Sequence, residues 1–168
     1  MNKTRISIIV ITLVIVTLLG VAGQRLLYMQ KVERPLKERF LAITGVESFE
    51  LLEVPGGQEL VVAVAKDVDL PRLYRQLQAT AREVLGSDGG EIEILDQSSP
   101  TLEEVLHRVH FVIQEGIATG RFTVMNDSVA QVMVNEGISN YKLAVDSDNV
   151  YLQIGQGENY LYSVFPRA

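Results

Sequence analysis

Seventeen consecutive residues without a charge, Ile6–Ala22, stand near the start of this 168-residue chain, preceded by Lys3 and Arg5 and followed by Gln24 and Arg25. As a helix rising ~1.5 Å per residue the run covers about 25 Å, just under the roughly 30 Å hydrocarbon thickness of a bilayer. Arg5 and Arg25 can snorkel to the two surfaces and make up the difference. The expectation is a transmembrane anchor bounded by Ile6 and Ala22. A cleaved signal peptide is the competing reading, since Gly20 and Ala22 could stand at −3 and −1 of a small-residue site before Gly23. The run exceeds the usual apolar core of a signal peptide, and Leu26, Leu27, Tyr28 and Met29 continue its apolar surface. An uncleaved, single-pass anchor in the plasma membrane is therefore expected, with residues 1–30 as anchor and basic flank.

Charge divides along the chain. Residues 1–43 carry seven Lys/Arg against two acids, whereas residues 44–168 carry eight against nineteen. The acidic portion repels phosphates, which disfavours a nucleic-acid partner. The basic stretch Arg25–Arg39 suits an anionic lipid surface at about 1 kcal/mol per basic residue, and it suits a solvated helix surface equally well. Five of these charges follow the span and two precede it, which read literally holds the domain in the cytoplasm. A large domain after a single early span is nevertheless often translocated, and an extracytoplasmic domain is the expectation. Cysteine is absent, so disulfides, thiolate metal sites and a Cys nucleophile are excluded.

Beyond the anchor, the pattern predicts an α+β protein. Gln24–Ile43 reads as helix interrupted at Pro35, with a second piece over Pro35–Ile43. Strands are expected at Ser48–Val54 and Gln58–Ala65, the second near-continuously apolar, as befits a central strand. Asp69 should cap a helix over Leu70–Leu85, and Glu91–Leu95 alternates as a strand. Residues 31–97 thus form an αββαβ module. Modules of this size occur in many families, including ring-forming assembly proteins of bacterial envelopes, an analogy of fold alone.

Gln97-Ser98-Ser99-Pro100 reads as a hinge. Residues 98–168 then form an ααβββ module. Its first helix starts at Ser99 and Pro100 and ends at Gly120, with an unbroken apolar stripe from Leu102 to Ile117. A shorter helix is expected over Asp127–Glu136, although Val132-Met133-Val134 would also suit a strand. Tyr141–Val145, Val150–Ile154 and Asn159–Phe165 form an antiparallel meander. The helices should cover one face of that sheet. The two modules stand either as subdomains or as one domain.

Candidate chemistry is sparse. Glu103, His107, His110 and Gln114 fall within about 60° of helix azimuth at ~100° per residue. Glu and His are suitable Zn²⁺ ligands, but the His-Glu-x-x-His arrangement of zinc proteases is missing. A solvated helix flank is the plainer account of Glu103, His107 and His110, so no metal and no cofactor are expected. Asp146-Ser147-Asp148-Asn149 begins like a calcium loop and fails at Val150 and Tyr151, leaving a polar hairpin turn. No nucleophile elbow or phosphate-cradling loop is present, and no catalytic residue can be named. Tyr141, Tyr151, Tyr160, Tyr162 and Arg167, with Phe165, are the expected interaction surface, because Tyr and Arg combine apolar area with a polar tip. Cross-strand packing explains the same residues.

Glu115-Gly116-Ile117-Ala118-Thr119-Gly120-Arg121-Phe122, with Val150–Ile154 and Tyr160–Arg167, resembles an uncharacterised group of small single-pass membrane proteins of spore-forming Firmicutes. The similarity spans most of the part after the anchor and implies only a membrane-anchored bacterial protein. The functional expectation is a non-enzymatic interaction or assembly module whose partners are the lipid bilayer and a protein or a second copy of the chain. The alternative is a ligand- or metal-binding sensor, or an accessory hydrolase, using the His107/His110 flank.

Overall fold

The computed structural model describes residues 13, 16–20, 23, 24, 27–55, 57–86 and 89–167. Most of Ile6–Ala22, including both of its ends, and the flanking Arg5 and Arg25 lie outside these. Residues 16–20 are helical, and Leu18 and Leu19 expose about two-thirds of their surface (63% and 67%). Among the described residues no helix is long and apolar enough to cross a membrane.

Among the described residues the chain is α+β, with two three-stranded sheets. The helix expected to end or kink at Pro35 runs through a π-helical segment, Met29–Glu33, into α1 (Arg34–Leu41). The wider turn accommodates a ring that has no N–H and would clash with the carbonyl four residues back. Leu36 and Phe40 of α1 are fully buried. β1 (Val46–Val54) and β2 (Gly57–Val64) form an antiparallel hairpin closing at Val54 and Gly57. α2 (Leu70–Leu85) is the crossover that lets β3 (Glu91–Leu95) lie parallel to β2, because parallel neighbours cannot be joined by a tight turn. β2 is central, which is why Leu60, Val61, Val62 and Val64 are all buried. Asp69 caps α2 by accepting from the Arg72 N–H at 3.4 Å. Gly90 leads into β3 at φ +74°, and a Cβ there would meet the Gln58 carbonyl oxygen at 2.9 Å, so only glycine fits without a shift.

α3 (Pro100–Thr119) begins at Ser99, whose hydroxyl accepts from the Leu102 N–H, and ends at left-handed Gly120. α4 spans Phe122–Asn135, five residues earlier than expected, and takes in Val132–Val134 as helix. The turn at Gly120 alone suffices to restart the helix, and the apolar Phe122, Met125, Val129 and Met133 then share one face. β4 (Asn140–Val145), β5 (Asn149–Gln156) and β6 (Asn159–Pro166) form the expected antiparallel meander.

The meander is covered on both faces. Val150, Leu152, Ile154, Leu161 and Phe165 pack against α3 and α4, as the pattern suggested. The alternate residues Tyr151 and Tyr162 join Leu60, Val62, Leu70 and Leu77 in a second core that also contains Leu36 and Phe40. The segment expected to be a hinge is fastened. The Asp96 carboxylate accepts from the Ser98 N–H and, at 2.7 Å, from the Tyr162 N–H, and the Tyr160 N–H donates to the Gln97 carbonyl at 3.0 Å.

Candidate interaction site: a cleft between two sheet edges

The aromatic residues expected to face a partner are mostly used within the chain. Tyr151 and Tyr162 are 1% and 8% exposed and so cannot present a surface. Tyr162 and Tyr160 lie with ring centroids 5.2 Å apart and donate their hydroxyls to the carbonyls of Ala65 and Val64 just past and at the end of β2. Tyr141 is half-buried against the helix-covered core. Arg167 lies over the Phe122 ring, 4.6 Å from its centroid, and its guanidinium donates to the Asp146 carbonyl. A period of two says which face a tyrosine occupies, not whether another module covers that face.

The Asp146 turn is likewise internally satisfied. Its carboxylate accepts from the Asp148 and Asn149 N–H groups, from the Tyr151 hydroxyl at 2.8 Å and from Arg75 at 2.9 Å. Partial burial alone would push this carboxyl up, but the four hydrogen bonds override it and hold the group down at about 2. With those oxygens engaged, the turn serves as a joint between α2 and the meander.

On α3, Glu103 accepts from Ser98 Oγ, His110 lies edge-on to Phe111 at 5.8 Å and tilted against Phe165 at 5.7 Å, and His107 is exposed. Among the described residues no group of three His, Asp or Glu side chains is placed to hold a metal ion.

The feature that sequence reasoning missed is a cleft of about 590 Å³ where β3 and β6 part company. The two strands are held together at one end by the Gln97–Tyr160 bridge and the Asp96 carboxylate, then splay apart under α2. β3 is an edge of its sheet and β6 is an edge of the other. Tyr74, Gln78 and Arg82 of α2 roof the space, Ile92 and Val164 line its walls, and Glu59, Glu91 and Glu93 supply carboxylates. Burial, reinforced by the negative charge of Glu91, pushes the Tyr74 hydroxyl up, so Tyr74 is neutral at the mouth of an acidic space. Burial also pushes the Asp96 carboxyl up at the apex, opposed by the N–H groups of Tyr162 and Ser98. The sequence signal was the Glu91/Glu93 alternation, which marked one strand but could not reveal which distant strand would face it.

No family model, no curated protein and no solved structure matches the chain.

Proposed function

We propose that this chain is a membrane-anchored, non-enzymatic interaction or assembly module that presents a small acidic α/β domain at the membrane. The observation that carries the reading is the cleft between β3 and β6. Its walls are strand edges and carboxylates, and its described lining residues include no histidine, cysteine or lysine that could complete a nucleophile–base pair. A space of this size is within the range of ligand sites, and unpaired strand edges are natural templates for another chain. The uncharged Ile6–Ala22 run, framed by Arg5 and Arg25, supplies the anchor, and the domain is placed outside the cytoplasm.

The test is in vivo photocrosslinking of the full-length protein, with the photoreactive residue at Glu93 in one sample and at His107 in another. Membranes are recovered, and protease accessibility is scored on the same intact cells. A discrete adduct in the membrane fraction and digestion of the domain from outside are the expected results. Monomer alone at every position would overturn the interaction reading. Protection from protease would place the domain in the cytoplasm instead.

A further inference from the structure

Pairing with β5 and the fastening at the apex together fix which way the β6 backbone faces. In an antiparallel strand the N–H and C=O of one residue point to the same side, and successive residues alternate. The Tyr160 and Tyr162 N–H groups point away from β5, towards Gln97 and Asp96. Val164, two residues on, therefore turns its N–H and C=O the same way, into the cleft. Pro166, the next position in that phase, has no N–H to offer, as is usual where an edge strand is blunted. The exposed hydrogen-bonding edge of β6 is thus short, running from the Tyr162 carbonyl to the Val164 carbonyl. Across the cleft stands the outer edge of β3.

The chemistry around that edge selects an occupant. Glu59, Glu91 and Glu93 line the same space against one cation among the described lining residues, Arg82, within a domain portion where acids outnumber bases by nineteen to eight. We infer that the cleft takes a short extended peptide segment bearing lysine or arginine, which adds as a strand on β6 through Val164 and sets its basic side chains against Glu91 and Glu93. This rests on the interaction reading above and names the kind of partner. Backbone pairing would supply affinity, and the alternation of apolar and basic side chains would supply selectivity, as in other strand-addition complexes.

The experiment uses the full-length protein in nanodiscs and three labelled peptides. One is acetyl-Gly-Val-Lys-Val-Lys-Val-Gly-amide, the second replaces its lysines by glutamate, and the third carries the lysines with N-methyl groups on alternate amides. The lysine peptide is expected to bind at least tenfold more tightly than the other two. The N-methylated control has the same charge, so equal binding of it would reduce the effect to bulk attraction and overturn the strand-addition proposal. Equal binding of the glutamate peptide, or no binding by any of the three, would overturn it as well.

Two variants locate the site. Val164→Pro removes the one N–H that β6 offers there and no ladder bond, and it should weaken the lysine peptide tenfold or more. The exposed reversal Glu91→Lys/Glu93→Lys, which leaves the described core untouched, should invert the preference to the glutamate peptide. Unchanged selectivity in the second variant would overturn the site even if Val164→Pro failed to fold. If these peptides fail while the crosslinking adducts persist at His107, the interaction reading stands and only the cleft assignment falls.

Discussion

The Tyr151 hydroxyl donates to the Asp146 carboxylate at 2.8 Å, and this bond makes the fold sensitive to pH from both ends. Burial, then the Asp146 bond, pushes Tyr151 up to about 12, while the four donors around Asp146 hold its carboxyl down at about 2. Asp146 stays ionised when folded, so its contribution is complete above its unfolded value near 3.8 and is lost as the pH falls from about 4 towards 2. Tyr151 stays neutral when folded, so its contribution is complete below about 10 and is lost as the pH rises towards 12. Each arm should amount to about 1–2 kcal/mol, after allowing for the water that screens the exposed Arg75 side of the cluster. Tyr151→Phe should cost about 1–2 kcal/mol at pH 7 in urea unfolding, remove the alkaline arm and make the acid arm shallower, since the Asp148, Asn149 and Arg75 donors to Asp146 remain. A variant whose acid arm kept its full slope would refute the link.

Tyr162 joins the two sheets through burial, its hydroxyl bond to Ala65 and its N–H bond to Asp96. Tyr162→Ala should therefore cost about 3–5 kcal/mol, whereas Tyr162→Phe, which keeps the ring and loses only the hydroxyl bond, should cost about 1 kcal/mol. Thermal unfolding followed by circular dichroism separates these, and equal losses in the two variants would show that the ring contributes nothing.

Gly116 on α3 lets α4 approach closely: a Cβ there would lie 2.7 Å from Met125 Cβ, nearer than real atoms come. Helix propensity favours alanine by about 1 kcal/mol, and overpacking costs about 1–3 kcal/mol, so Gly116→Ala should be neutral to destabilising by up to about 2 kcal/mol. Adding Met125→Ala removes the Sδ and Cγ contacts at 2.5 and 2.8 Å but keeps the Cβ, so it should relieve part of the clash, which a double-mutant cycle measures directly as a favourable coupling.

Local chemistry was legible in the residues, and long-range pairing was not. α2 begins after Asp69 and ends before Gly86, where capping placed it, and the central position of β2 followed from its apolar run. No side-chain cap precedes Phe122, so the local sequence carries no signal that its helix starts there. The larger miss concerned Tyr151 and Tyr162. Alternation put them on one face of the meander, but only the tertiary structure shows that Leu60, Val62 and Leu77 cover that face. The cleft was invisible for the same reason, since it depends on β6 meeting the end of β3 some sixty residues earlier in the chain.

The anchor reading can be tested without disturbing the domain. The fully buried residues among those described begin at Leu36, and residues 16–20 are exposed, so substitutions there leave the two cores alone. An arginine near the middle of a spanning helix costs about 3 kcal/mol of insertion free energy on translocon scales. Leu13→Arg with Leu18→Arg should therefore cost about 5–6 kcal/mol and move the full-length protein from the carbonate-resistant pellet to the soluble fraction. Its unfolding temperature should stay within about 2 °C of the parent, because roughly 0.5 kcal/mol would shift a domain of this size by that much. If the parent protein itself were washed from membranes by carbonate, Ile6–Ala22 would be no anchor. If the double variant left the membrane only in unfolded form, the run would instead be part of the fold.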